Sequence, residues 1–280
     1  MAGQSRAQWR FLDSGPADGF TNMAVDEALL KVLAAERGAP TLRFYSWSPP
    51  ALSLGYGQLT AGKIDLRRCM CLGIDVVRRS TGGGAVLHAH EVTYSVVLRA
   101  DDPRLAPGLL ASYLTISHAL VRGLSYLGIS ADLVPIRRGA LLSSGRTSPA
   151  CFATLSSYEV AVAGRKLIGS AQRRVQDLIM QHGSIPLSHD LDTMRAVFDS
   201  TLLDGQSTSN ELVYQDRMTS LQEAGGRAYG YAEVVAALSR GIAESWQVDL
   251  LPGSLTSVEK AHSAHLRATK YGSEAWTWRR

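Results

Sequence analysis

The residue best suited to covalent chemistry is Cys151, which follows a stretch rich in Arg, Ser and Gly from Pro135 to Pro149. Lys166 comes next, in the hairpin pattern YEVAV–AG–RKLIGSA, where strand geometry can bring its side chain to the cysteine across a pocket. A lysine ammonium beside a thiol favours the thiolate, and the thiolate is the nucleophile. Most single cysteines are structural and most lysines solvated, so the pair needs context. A second candidate stretch is RRSTGGGAVLHAHE, which places Arg78, Arg79 and Thr81 before Gly82, Gly83 and Gly84, and His88, His90 and Glu91 after them. Three consecutive glycines are costly to order, which places them where the backbone takes positive φ or lies against a ligand. The run fits neither GxGxxG nor GxxxxGK[ST], and Ala85, Val86 and Leu87 continue it as strand rather than helix, so it is not a dinucleotide or P-loop cradle. A plain glycine turn is the alternative; the flanking arginines and histidines favour a ligand loop. His88 and His90 alternate with Leu87 and Ala89 and are expected to face one side. His182, in QHGS, reads equally as a buried residue bonded to the backbone. No GxSxG and no Ser-His-Asp pattern is present.

The elements that must position these groups follow from periodicity. Ile74, Val76 and Val77 before the glycines, and Val92 to Leu98 after them, read as buried strands. MAVDEALLKVLAAERG is a helix, with Thr21 or Asn22 as cap and Gly38 as stop. Thr41–Trp47 and Ala51–Tyr56 read as strands around Pro49-Pro50, and Ile64–Leu72 as a short helix. Leu109–Leu127 reads as an amphipathic helix with Leu110, Leu114, His118, Val121 and Leu124 on its apolar stripe, which makes His118 a core-edge residue. Ala131–Val134 is a short strand, the loop up to Pro149 a mobile surface segment, and Leu178–Ile185 a strand interrupted at His182-Gly183. Helices dominate from Leu191, including Tyr231–Trp246 and Leu255–Lys270, with a polar break over Gly205–Asn210. Helices interleaved with hairpins, rather than strict βαβ units, predict an α+β fold on a mixed or antiparallel sheet. The expected organisation is a catalytic domain over residues 1–200 and a helical C-terminal extension over 201–280 packed on it.

At 280 residues, 45% hydrophobic and 19% charged, the chain has the composition of a soluble globular protein. It lacks an apolar run of about 18 residues and a signal-peptide core, which predicts a cytoplasmic protein without a membrane partner. The three cysteines are too few for a disulfide framework, and Cys69-Met-Cys71 has no second ligand pair, so no metal site is expected and both are assigned to packing. A net charge of +4, with arginine doublets such as Arg67-Arg68 and Arg137-Arg138 but no long basic run, argues against nucleic acid and suits an acidic protein partner.

RRSTGGGAVLHAHEVTYSVV, ACF, GRKLIGSAQRR and QHGSI together resemble the catalytic domain of the biotinyl/lipoyl protein ligase and transferase superfamily. Within it they are most similar to the octanoyltransferases that move octanoate from acyl carrier protein to the glycine cleavage H protein. The resemblance runs from NMAVDEALL to KYGSEAWTWRR. It implies that Cys151 carries an acyl-thioester and that Lys166 lowers its pKa. It also implies that Arg78, Arg79, Thr81, Gly82, Gly83, Gly84, His88, Gly169, Ser170, Ala171 and His182 form the substrate-binding surface. The implied donor is octanoyl-acyl carrier protein, the implied acceptor a lysine of H protein or another lipoyl domain, and no cofactor is implied, because a thioester is already activated. Two departures stand out: His88-Ala89 where the family often has HD, and GGG, as in the ATP-dependent lipoate ligases, where it often has GGR. An ATP-dependent lipoate–protein ligase, an amidotransferase between lipoyl domains and a non-catalytic acyl-binding module are the competing readings.

Overall fold

Strand β6 (Glu91–Arg99), the second β-branched run, occupies the middle of the sheet, with every residue on it except Arg99 buried. In the computed structural model, which describes residues 6–36, 38–59, 64–135, 158–198 and 217–279, its side chains alternate between two packed layers. Val92, Tyr94, Val96 and Leu98 join the core under helices α3 (Leu109–Ser125) and α6 (Tyr231–Trp246), while Val97 joins Val25, Leu29 and Leu33 of helix α1 (Gly19–Glu36). Near-continuous apolar sequence is what a strand covered on both faces requires, and each such side chain contributes about 2 kcal/mol on burial.

Around β6 run β1 (Ala7–Ala17), β2 (Thr41–Trp47), β7 (Asp132–Pro135), β8 (Tyr158–Val162), β9 (Arg165–Val175), β10 (Leu178–Pro186) and β11 (Val248–Pro252). Among the described residues these eight strands lie in the order β11-β1-β2-β6-β10-β9-β8-β7. The β11/β1 and β1/β2 pairs are parallel and the remainder antiparallel, giving the mixed sheet and the α+β class. A smaller sheet, β4-β3-β5, is formed by β3 (Ala51–Leu54), β4 (Asp75–Arg78) and β5 (Val86–His88); it carries the glycine loop between β4 and β5. Helix α2 (Leu66–Cys71) follows β3, α4 (Leu191–Val197) follows β10, and α5 (Leu221–Gly225) precedes α6. Helix α7 (Ser257–Leu266) begins with a capping box of Thr256 and Glu259, continues into a π-helical turn (Arg267–Tyr271) and is followed by α8 (Glu274–Thr277).

Several expectations change. Strand β10 runs unbroken through His182-Gly183, because β6 and β9 pair with it on both sides. Helix α1 starts earlier than its Thr21 or Asn22 cap implied: the Asp18 carboxylate accepts from the Thr21 amide at 2.8 Å, and Asn22 is buried, donating to the Ala17 and Ser46 carbonyls. The buried stripe of α3 is Tyr113, Ile116, Leu120 and Leu124, which leaves Leu110 and His118 on the solvent side. Cys69 packs in the core as expected, but Cys71 is exposed, since only one residue of so short a helix faces inward. Strand β1 was not anticipated. The residues beyond 217 are mainly helical, yet they also supply β11, which extends the sheet beyond β1. The boundary drawn at residue 200, the polar break at 205–210 and the loop at 136–149 lie outside the described residues.

Candidate active site

The glycine loop is shaped by two buried arginines. Arg79 donates from Nη1 to the carbonyl and hydroxyl of Ser53, both at 3.0 Å, and from Nη2 to the carbonyls of Gly82 and Gly84, both at 2.7 Å. Burial, with the like charge of Arg78 alongside, lowers its pKa to about 10, so it remains a cation at neutral pH. Arg78 donates to the carbonyls of Gly55 (2.6 Å), Gln58 (2.8 Å) and Thr277 (2.9 Å), and the Trp276 indole donates back to the Arg78 carbonyl at 2.8 Å. Both guanidiniums therefore hold backbone: Arg79 curls the loop from inside, and Arg78 ties it to the segment after β3 and to α8. Gly83 takes φ +98°, and a Cβ on Gly55 would lie 1.8 Å from the Gly83 carbonyl oxygen. Gly55 thus marks a close backbone approach, pressed on the loop.

Each of the two buried histidines is paired with a carboxylate. His182 Nε2 lies 2.7 Å from Thr81 Oγ1, and its Nδ1 lies 3.2 Å from Asp26. Asp26 in turn accepts from Arg43 at 2.7 Å and from the Tyr45 hydroxyl at 2.9 Å. Burial opposes ionisation of Asp26, but the charges of Arg43 and His182 outweigh it and its pKa falls below the usual carboxylate value. His88 Nε2 lies 2.7 Å from Ser53 Oγ, the same hydroxyl that Arg79 holds, and its Nδ1 lies 2.8 Å from Glu91. Trp47 stacks on the His88 ring at 4.0 Å. Glu91 also accepts from Thr93 and Ser184; despite its burial, His88 and these hydroxyls keep its pKa low. His90, expected on the same side as His88, is exposed because it lies in the turn after β5.

Strand register brings two sequence motifs together. Gly169, Ser170 and Ala171 of β9 stand opposite Ser184, Gly183 and His182 of β10, so GSA and HGS are cross-strand partners. Ser170 accepts from the Tyr94 hydroxyl at 2.8 Å. Gly169 lines a cavity of about 360 Å³ whose polar lining includes Lys166, His90, Glu91, Ser184 and Asp190 and whose apolar lining includes Ile64, Leu87, Leu167, Met194, Phe198 and Met218. That volume falls within the range of small-molecule sites. Lys166 is held at its rim by an ion pair with Glu159, and its backbone carbonyl accepts from the Thr219 amide at 2.8 Å. A Cβ on Gly169 would lie 2.9 Å from Lys166 Cε, so this glycine gives the lysine its room. The arrangement offers an apolar slot with an ammonium at one wall and ordered hydroxyls nearby, the requirements for holding a fatty acyl chain beside a charge.

Of the residues expected in the site, Lys166, Gly169 and the strand leaving the glycine loop meet at this cavity; Thr81, His88 and His182 stand in the buried networks beside it; and Cys151 lies outside the described residues. Glu159, Asp26, Arg43 and Ser53 complete these arrangements and were not foreseen. Asp26 had one visible signal, an acid within the otherwise apolar helix MAVDEALL. Cys69 is no competing nucleophile, since burial, with Asp65 nearby, pushes its thiol up to about 11.

Residues 18–243 match the family described as the lipoyl protein ligase A/B catalytic domain. The octanoyltransferase LipM of Moorella thermoacetica is 40% identical over 274 residues, covering 97% of this chain and 98% of that protein. The LipM of Clostridioides difficile is 36% identical, covering 98% and 99%. In fold, the chain superposes on a bipartite lipoate protein ligase from Thermoplasma acidophilum with a TM-score of 0.78 at 24% identity, covering 97% of this chain and 96% of that one. A lipoate-protein ligase A bound with ATP gives the same score and identity, covering 97% and 98%. The chain therefore belongs to the lipoyl protein ligase A/B catalytic domain family, and with its transferase relatives it is an acyltransferase.

Proposed function

We propose that the protein transfers an octanoyl group in lipoate biosynthesis, taking it from octanoyl-acyl carrier protein through a thioester on Cys151 to a lysine of a lipoyl-type domain such as the glycine cleavage H protein. The Cys151 thiolate attacks the carrier thioester carbonyl; its new C–S bond forms as the old one breaks, and the carrier leaves as a thiolate that takes a proton from water. The lysine amine of the acceptor, having lost a proton, then attacks the Cys151 thioester; an amide forms and the cysteine thiol is regenerated. Neither step needs another activating reagent, since a thioester is already activated.

The observation that carries this reading is Lys166 at the rim of an apolar cavity, in the motif that the octanoyltransferase resemblance assigns to it. A fatty chain gains about 0.8 kcal/mol for each methylene buried, which suits a lining of Ile64, Leu87, Met194 and Phe198. Arg78 and Arg79 then serve the substrate indirectly, by setting the shape of the loop whose backbone borders the pocket. The test is transfer to purified H protein from octanoyl-acyl carrier protein, with and without ATP, read as the mass of the acceptor. Equal octanoylation in both is expected. Transfer only from free octanoate plus ATP would instead select the ligase reading.

A further inference from the structure

We propose that the outer face of α2, presenting Arg67, Arg68, Met70 and Leu72, is the surface on which the acidic carrier protein docks to deliver its acyl chain; the inference rests on the thioester-donor reading above. Only Cys69 of this helix is buried. Met70 is 74% exposed and Leu72 44%, alongside Arg67 and Arg68. Several other exposed arginines, Arg122, Arg227, Arg240 and Arg267, are neutralised from within the molecule, each holding a carboxylate. Arg67 and Arg68 hold none among the described residues, and the neighbouring Asp65 is engaged as the helix cap, accepting from the Arg68 amide at 2.9 Å.

The location supports the assignment. Cys69 packs in one cluster with Val197, Ile64 and Phe198, and the Asp65 amide donates to the Val197 carbonyl at 3.0 Å. Ile64 and Phe198 line the cavity. The arginine face is therefore the outside of a single layer whose inside is the acyl cavity wall. Arginine and methionine are enriched where protein surfaces meet, and unpaired charges steer an oppositely charged partner to its site. Two charges on one short helix are too few to track a nucleic-acid backbone, where several phosphates are neutralised together.

The test compares wild type with the double variant R67E/R68E, using octanoyl-acyl carrier protein and the small neutral donor octanoyl-N-acetylcysteamine. For the carrier donor, an increase in KM of about tenfold at low salt is expected, with a weaker dependence on ionic strength than in wild type. Acylation by the small donor should be unchanged, which also shows that the variant is folded. An unchanged KM for the carrier, an equal loss with the small donor, or a defect confined to transfer from acyl-enzyme to the lipoyl domain would each overturn the proposal. If wild type forms no acyl-enzyme with either donor, it is the thioester-donor reading that fails.

Discussion

At the scale of single residues, Lys166 is held at three points. Its ammonium is paired with Glu159, its backbone is tied to Thr219, and its chain passes over Gly169. Lys166→Ala should leave the fold intact and raise the pH midpoint of thiol alkylation at Cys151 by about one unit, since a nearby cation typically depresses a pKa by that much or more. The measurement is the alkylation rate against pH; an unshifted profile would separate Lys166 from the thiol. Gly169→Ala probes the same side chain without removing it. The added Cβ would meet Lys166 Cε at 2.9 Å and Nζ at 3.3 Å, contacts that the flexible lysine relieves by moving. A fall in kcat of about tenfold with little change in Tm is expected, because small misplacements at a reacting centre are expensive. Of these contacts, Lys166 itself was legible in GRKLIGSA, but Glu159 was not. In YEVAV it looks like the solvent face of a strand, and only the bulge between β8 and β9, which shifts the register between Val160 and Ala161, sets its relation to Lys166.

At the scale of elements, the glycine loop is fixed from both ends, by Arg79 within it and by Gly55 pressed against it. Gly55→Ala would put a carbon 1.8 Å from the Gly83 carbonyl oxygen, and a backbone atom cannot swing aside as a side chain does. The variant should lose about 2 kcal/mol of stability in chemical denaturation, the usual scale for overpacking, and should lose acyl transfer with it. The strands flanking the loop were legible because their apolar runs are long and bounded by Gly and charges. Strand β1 was not, because Asp13, Gly15 and Pro16 break its alternation, and its partners β2 and β11 are parallel strands brought in from elsewhere in the chain. His182-Gly183 read as an interruption for a related reason: the glycine is where Tyr94 and Ser170 approach the strand, a packing need rather than a break.

At the scale of the whole molecule, one buried chain of polar groups joins the layers. Thr81 of the glycine loop, His182 of β10, Asp26 of α1 and Arg43 of β2 are linked in sequence, with Tyr45 on the same carboxylate. Thr81 and His182 were legible as candidates but Asp26 and Arg43 were not, because a charged residue in a helix or strand ordinarily reads as a solvated face. Asp26→Asn leaves Arg43 buried without its counter-ion and should cost about 3 kcal/mol in urea unfolding. Because the Asp26 pKa is depressed by folding, its contribution is fully present above the ordinary value of 3.8 and drains away as pH falls through the lower folded value. Wild-type stability should therefore fall below about pH 4, and the variant should show less of that fall; an unchanged acid limb would assign the loss to other carboxylates.

The thioester mechanism proposed above places the acyl group on Cys151 between donor and acceptor. It is tested most directly by mixing the protein with octanoyl-acyl carrier protein in the absence of ATP and acceptor, digesting it, and locating the added mass by peptide sequencing in a mass spectrometer. One octanoyl group on the peptide containing Cys151, labile to hydroxylamine, lost in Cys151→Ala and retained in Cys69→Ser and Cys71→Ser, is the predicted result. An octanoyl group on any other residue, or a Cys151→Ala protein that transfers octanoate to a lipoyl domain at the wild-type rate, would contradict it.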